Sequence, residues 1–193
     1  MQHLLPLFEN FNVTPLRLAL RRNSGLWNAV KTRTASPTSP HREVDDIWVR
    51  YAETPEAGSA NTPHDSVWLQ PALALPEAAP LAFQLMAAVS GERLGGILIT
   101  RIPPGRRVYP HTDRGWHAQY YDKFAIQISS HPQQSFNFSD GAFHAKPGDV
   151  YWFDNSHSHW VENPSPVERI TMIVCIKPHS PLNNPLKSPE KES

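Results

Sequence analysis

The architecture of this chain is clearest in residues 146–177, which read KPGDVYWFDNSHSHWVENPSPVERITMIVCIK. Residues 147–149, Pro-Gly-Asp, have the composition of a tight turn. The runs at 150–153 and 169–177 are rich in the β-branched and aromatic residues that favour strands. Two short apolar runs separated by turn residues and prolines predict two strands of an all-β domain.

The same pattern extends through the second half of the chain. Further strands are predicted over residues 46–51, 96–102, 108–113, 124–129 and 135–138. Many short strands at this spacing predict a mainly β fold, an antiparallel sandwich or barrel. A few flanking helices are expected around it, over residues 16–22, with Thr14 as the N-cap and Pro15 as the first helical residue, and over roughly 81–89. Residues 31–44 and 52–66 are polar or rich in proline and predict loops.

Length and composition narrow the class of protein. The 193 residues predict a single domain over residues 1–178, with its core at about 45–178, and a flexible tail over 179–193. Eighteen basic residues balance eighteen acidic ones, so the chain has no overall charge that would draw it to nucleic acid or a membrane. The N-terminus lacks a basic leader, and we expect a cytoplasmic protein. The single cysteine, Cys175, lies in an apolar run and is expected to be buried.

Pro110-His111-Thr112-Asp113 is the first candidate for chemistry. Side chains two residues apart on a strand point to the same face, so His111 and Asp113 can direct an imidazole and a carboxylate at one point. A second histidine on a neighbouring strand would complete the two-histidine, one-carboxylate set of non-haem iron(II) oxygenases. By itself, however, a His-x-Asp tripeptide is common, and a surface turn is the more frequent explanation for it.

His159 lies 48 residues downstream and follows a predicted strand, and Arg169 opens the next strand ten residues later. An arginine on an apolar strand needs a partner, and a cosubstrate carboxylate suits its guanidinium fork. The alternative for Arg169 is an ion pair with Glu168 or Asp154. His157 competes with His159 for the ligand role.

Taken together, these segments resemble the aspartyl/asparaginyl β-hydroxylase family over residues 93 to 177. The matching segments are Arg101-Ile102-Pro103-Pro104-Gly105, His111-Thr112-Asp113, Lys146 to Ser156, His159 and Arg169. The resemblance implies a double-stranded β-helix, a cupin-like jelly-roll core, and iron(II) and 2-oxoglutarate as cofactors.

The resemblance also implies roles for individual residues. It makes His111, Asp113 and His159 the metal ligands, and it prefers His159 to His157 because of the ten-residue spacing to Arg169. Arg169 would hold the distal carboxylate of 2-oxoglutarate. Lys123 stands where many relatives carry an arginine, and we count it as a second cofactor-binding candidate. No catalytic residue beyond the metal ligands is expected.

Trp116, Tyr120 and Arg114 follow the His-x-Asp pair and are the candidates for substrate contacts, with ordinary packing as the alternative for the two aromatic residues. The predicted reaction is hydroxylation of an unactivated C–H bond by dioxygen. The substrate would be an amino acid, either a free small molecule or a residue within a peptide. The competing hypothesis is a metal-binding cupin without redox chemistry, such as an isomerase or a sensor. Arg169 separates the two, because a cupin of that kind needs no fixed cation beside its metal.

Overall fold

A computed structural model describes residues 1–55 and 59–180. Its helices are α1 Thr14–Arg22, α2 Pro71–Ala74, α3 Ala78–Ala88 and α4 Trp116–Tyr120. Its strands are β1 Leu4–Phe8, β2 Asp45–Tyr51, β3 Val67–Trp68, β4 Gly91–Ile102, β5 Arg107–His111, β6 Asp122–Ser129, β7 Ser135–Phe138, β8 Gly141–Phe143, β9 Val150–Phe153, β10 His159–Glu162 and β11 Arg169–Pro178.

The strands form two antiparallel sheets that face each other. The larger sheet has the order β1-β9-β6-β11-β4-β2-β3, and the smaller sheet has the order β5-β10-β7-β8. Strands that are distant in sequence lie side by side in both sheets, as in a jelly roll. The predicted mainly β, double-stranded β-helix fold with a few flanking helices is confirmed.

Both faces of the larger sheet are covered. Helices α1 and α3 pack on its outer face, where alternate residues of β11, such as Met172 and Val174, are fully buried. The inner face meets the smaller sheet, and Phe136, Tyr151 and Phe153 are buried between them. At about 1.5–3 kcal/mol for each large apolar side chain buried, these two layers dominate the stability of the fold.

Several boundaries differ from the sequence predictions. Helix α1 begins at Thr14 with Val13 as its N-cap, so Thr14 is helical and is not the cap. Helix α3 begins at Ala78, because Pro80 fits within a first turn whose N–H groups need no helical partner. Strand β5 ends at His111, which leaves Asp113 beyond it. His159 follows β9 as expected, and it also opens β10, a strand that was not predicted.

Residues 181–193, most of the predicted tail, lie outside the described residues. The single-domain boundary at residue 178 stays a prediction. Within the described ranges, no helix has the length and apolarity that crossing a membrane requires.

Candidate metal and cosubstrate site

The residues of the predicted metal site meet between the two sheets. Strands β5 and β10 pair so that His111 lies directly opposite His159. Asp113 follows the end of β5, where its backbone N–H donates to the carbonyl of Asn155 at 2.9 Å. The metal-ligating atoms of His111, Asp113 and His159 all lie within 4.8 Å of one another. We call these residues the first triad.

Hydrogen bonds at the far side of each ring orient the two imidazoles. His111 Nδ1 lies 2.8 Å from the carbonyl of Tyr109, and His159 Nδ1 lies 2.9 Å from the carbonyl of His157. A carbonyl only accepts, so Nδ1 carries the proton in both rings and Nε2 keeps a free lone pair. The two Nε2 atoms face Asp113, at 3.7 Å from its Oδ1 and 3.9 Å from its Oδ2 respectively. The first triad therefore presents the donor set that non-haem iron(II) binds, with the tautomers that ligation requires.

The electrostatics of the first triad favour the protonation states of a ligand set. Burial lowers the pKa of His159 to about 4 and also lowers that of His111, so both imidazoles are neutral near pH 7. Burial alone would raise the pKa of Asp113, but the charges of Lys123 and of the two histidines outweigh it and hold that pKa far below its usual range. Lys123 Nζ lies 2.5 Å from Asp113 Oδ2. The predicted cofactor-binding residue Lys123 is thus paired with a ligand of the first triad.

Aromatic rings from both sheets surround His159. Phe136 stacks on its imidazole with 5.6 Å between ring centroids, and Phe138 and Phe153 lie at 5.9 and 5.4 Å. These contacts restrict the rotamer of His159 and keep water away from the part of the ring that they cover.

Arg169 lies in the same cavity, on the inner face of β11. It is only 4% exposed. Its Nη1 donates to Thr171 Oγ1 at 2.6 Å, and its Nη2 donates to the hydroxyl of Tyr151 at 3.1 Å. Neither predicted ion-pair partner contacts it, because Glu168 pairs with Arg101 and Asp154 pairs with His157. Among the described residues, this buried guanidinium has hydroxyl partners and no carboxylate.

The cavity has a volume of about 330 Å³, at the lower end of the ~300–1,000 Å³ typical of small-molecule sites. Arg169, Thr171, Ile173 and Cys175 all line it, because alternate side chains of β11 point to the same face. Arg114, one predicted substrate residue, also lines it.

The other two substrate candidates, Trp116 and Tyr120, do not line the cavity. Their rings stack on each other at 5.0 Å in α4, and Trp116 also packs near His64. The contacts of Trp116 and Tyr120 are those of ordinary packing, which was the alternative interpretation of these two residues.

Sequence reasoning did not place Arg33, His41 or His117 in the cavity wall. Arg33 and His41 come from the polar loop 31–44, and His117 is 5% exposed within α4. The His41 ring lies edge-on to His111 with 4.6 Å between centroids. Arg33 and His41 lack any periodic pattern around them, so their sequence carried no signal. For His117 the signal was its position four residues after Asp113.

Comparisons with known proteins agree with this geometry. The chain resembles HygX from Streptomyces hygroscopicus, a structure with nickel and 2-oxoglutarate bound, at 16% identity and a TM-score of 0.57 over 92% of this chain and 84% of that one. It resembles a Pseudomonas putida prolyl-4-hydroxylase at 14% identity and a TM-score of 0.54 over 93% and 94% of the two chains. A 2OG-Fe(II) oxygenase-family oxidoreductase from Burkholderia pseudomallei matches at 12% identity and a TM-score of 0.55 over 83% and 79%. These likenesses establish the shared fold.

No curated protein matches the sequence at a significant level. The family model for aspartyl/asparaginyl beta-hydroxylase, however, matches residues 68–178. That range is more than half of the chain, and it contains the first triad and Arg169. The chain therefore belongs to the aspartyl/asparaginyl β-hydroxylase family of iron(II)- and 2-oxoglutarate-dependent hydroxylases, as its sequence predicted.

Proposed function

We propose that this hydroxylase holds iron(II) through His111, Asp113 and His159, and that Arg169 pairs with the distal carboxylate of 2-oxoglutarate. The observation that carries the proposal is the presence of the first triad and a buried, carboxylate-free Arg169 in one cavity. The chemistry supplied by iron(II) and 2-oxoglutarate, once bound, is oxidation of an unactivated C–H bond by dioxygen, with release of succinate and carbon dioxide.

The protein's own residues orient the two ligand imidazoles and the guanidinium of Arg169. Backbone carbonyls keep both ligand imidazoles in the Nε2-donor tautomer, and Phe136 limits the rotation of His159. The hydroxyls of Thr171 and Tyr151 fix the fork of Arg169, so that little side-chain entropy remains to be lost when a carboxylate binds. Lys123 pairs with Asp113 at 2.5 Å, and we keep it as a proposed second contact for the cosubstrate.

We further propose that the substrate carries a carboxylate. Four basic side chains line the cavity, Arg33, Arg114, Lys123 and Arg169, against the acidic side chain of Asp113. Asp46 neutralises Arg33 from behind, which leaves an excess of two positive charges. The two positive charges of iron(II) and the two negative charges of 2-oxoglutarate cancel. The excess of positive charge therefore remains to be matched by an anionic substrate.

Arg33 is the best-placed hydrogen-bond donor for that carboxylate, although Asp46 balances its charge. Its Nε and Nη2 donate to Asp46 at 2.7 and 2.9 Å, and Nη2 also donates to Thr100 at 2.7 Å. These bonds fix the guanidinium while Nη1 makes no hydrogen bond within the described residues. An amino acid, free or within a peptide, would offer a matching carboxylate, and this is the substrate class we propose.

The direct test is to measure succinate formed from 2-oxoglutarate under air with iron(II), first alone and then with free amino acids, their amides and an Asp-containing peptide. We expect succinate in all cases and stimulation by substrates that keep the carboxylate. A complete lack of succinate, even without substrate, would favour the metal-binding cupin. The double change of Arg33→Met with Asp46→Leu avoids leaving Asp46 as an unpaired buried charge, and it should remove the preference for carboxylates over amides.

A further inference from the structure

A second cluster of metal-ligating side chains lies outside the cavity. It consists of His3, Asp154 and His157, and we call it the second triad. Its donor atoms also lie within 4.8 Å of one another. His157 Nδ1 is 2.8 Å from Asp154 Oδ2, and His3 Nδ1 is 3.7 Å from the same oxygen. The two imidazole rings are stacked, with 3.9 Å between their centroids.

Pairing of strands β1 and β9 builds this cluster. His3 immediately precedes β1 and Asp154 immediately follows β9, and the backbone N–H of Asp154 donates to the carbonyl of His3 at 2.9 Å. Oδ1 of Asp154 accepts hydrogen bonds from the backbone and the hydroxyl of Ser156, at 3.0 and 2.6 Å. The carboxylate is thereby fixed with Oδ2 toward both imidazoles.

The spacing of these atoms suits a metal ion. Bonds of about 2.0–2.1 Å from zinc to nitrogen and oxygen in a tetrahedron put neighbouring ligand atoms roughly 3.3 Å apart. The 2.8 Å separation in the second triad is a hydrogen bond from His157 Nδ1 to the Asp154 carboxylate, so a metal ion would replace that proton, and the 3.7 Å separation from His3 is slightly longer than the coordinated value. The corresponding separations in the first triad are 3.7 and 3.9 Å, so the second triad is no less compact than the first.

We propose that the second triad is a separate binding site for a divalent transition-metal ion with nitrogen and oxygen ligands, such as zinc or cobalt(II). Side chains of His157 and His3 are 44% and 24% exposed, so an ion can reach the site and water can complete its coordination. The ion would join the edge strand β1 to the segment that follows β9.

A metal ion bound at the second triad would also affect the first triad, because the two are connected through the backbone. The carbonyl of His157 accepts the Nδ1–H of His159, which is the bond that orients this imidazole toward Asp113. An ion held by Asp154 and His157 would fix the backbone of residues 154–157 and with it that carbonyl. The second triad would therefore act as a structural clamp on a ligand of the first.

The experiment is a zinc titration of tag-free, metal-free protein by calorimetry, with bound zinc measured after dialysis. We expect two ions per chain in the wild type. His111→Ala removes a ligand of the first triad and should bind one ion, through the second triad. His3→Gln should also bind one ion, and the double variant should bind none. Gln at position 3 keeps a polar side chain at the end of an edge strand, so folding should be preserved.

His179 provides a matched control. Its Nδ1 pairs with Glu92 at 2.7 Å, which makes a histidine–carboxylate pair on the surface with no third donor among the described residues. His179→Gln should keep both ions. The proposal is overturned if His111→Ala binds no zinc, or if His3→Gln binds as many ions as the wild type. If the wild type binds a single ion that only His3→Gln removes, the second triad stands and the proposed iron site fails.

Discussion

Replacing Arg169 by alanine separates an oxygenase from a metal-binding cupin. In the free protein the Arg169 guanidinium is buried and bonds to Thr171 and Tyr151, which are both neutral. Its charge therefore lacks an acidic partner among the described residues until a ligand carboxylate arrives. The cost of Arg169→Ala should then appear mainly in the complex with 2-oxoglutarate.

The expected magnitude follows from leaving that carboxylate alone in an apolar pocket. Removing one partner of a buried charge pair costs roughly 3–5 kcal/mol. At ~1.4 kcal/mol per tenfold change, 2-oxoglutarate affinity should fall by about two to three orders of magnitude. Arg169→Lys should fall between wild type and alanine, because it keeps the charge and loses the planar fork. Metal affinity should be preserved, since the first triad is unchanged.

The assay is an anaerobic titration of the iron(II) protein with 2-oxoglutarate, following the metal-to-ligand charge-transfer absorption. Arg101→Ala is the matched control, because Arg101 lies on the adjacent strand β4 and pairs with Asp45 at 2.8 Å away from the cavity. It should titrate like the wild type. An unchanged titration in Arg169→Ala would refute the assignment of Arg169 and would remove the main argument against a cupin.

Three further predictions concern the ligands, the pH dependence and the pocket wall. His159→Ala should abolish iron-dependent succinate formation while His157→Ala retains it, and the reverse result in the same assay would exchange their roles. Burial, and after it nearby charges, lowers the pKa of His117 from 6.5 to about 3. As the pH decreases below about 6.5, the unfolded chain takes up a proton at this residue and the folded chain does not, so the free energy of unfolding decreases as the pH decreases. Between about pH 7.5 and about pH 5 the metal-free protein should lose about 2 kcal/mol of its free energy of unfolding through His117. In urea unfolding, His117→Gln should not show this part of the loss. An equal pH dependence of wild type and His117→Gln would contradict the prediction. Trp48 lines the cavity, and its buried Nε1 has no hydrogen-bond partner among the described residues. Trp48→Phe should raise KM for the substrate without changing uncoupled succinate formation, whereas a loss of both would indicate packing alone.

The His-x-Asp pair and the position of Arg169 on an apolar strand could be predicted from local order in the sequence, whereas His159 and the role of Arg169 came from the resemblance to the family. The His-x-Asp spacing brings two side chains together near a strand end, and alternation along β11 put Arg169, Thr171 and Cys175 on one face. Turn residues and short apolar runs likewise predicted most strands of the mainly β fold, although their end points shifted by a few residues.

Arg33, His41 and the second triad became visible only in the tertiary structure. Arg33 and His41 lie in a loop whose path is set by contacts with Asp46, Thr100 and Ser39 and leaves no periodic trace in the sequence. The second triad depends on β1 pairing with β9, strands separated by more than 140 residues. Alternation along a strand is a local property of the backbone, whereas the choice of neighbouring strand depends on how the whole chain buries its apolar faces. For that reason the sequence alone determined which residues could form the metal site, and only the folded chain decided what surrounds it.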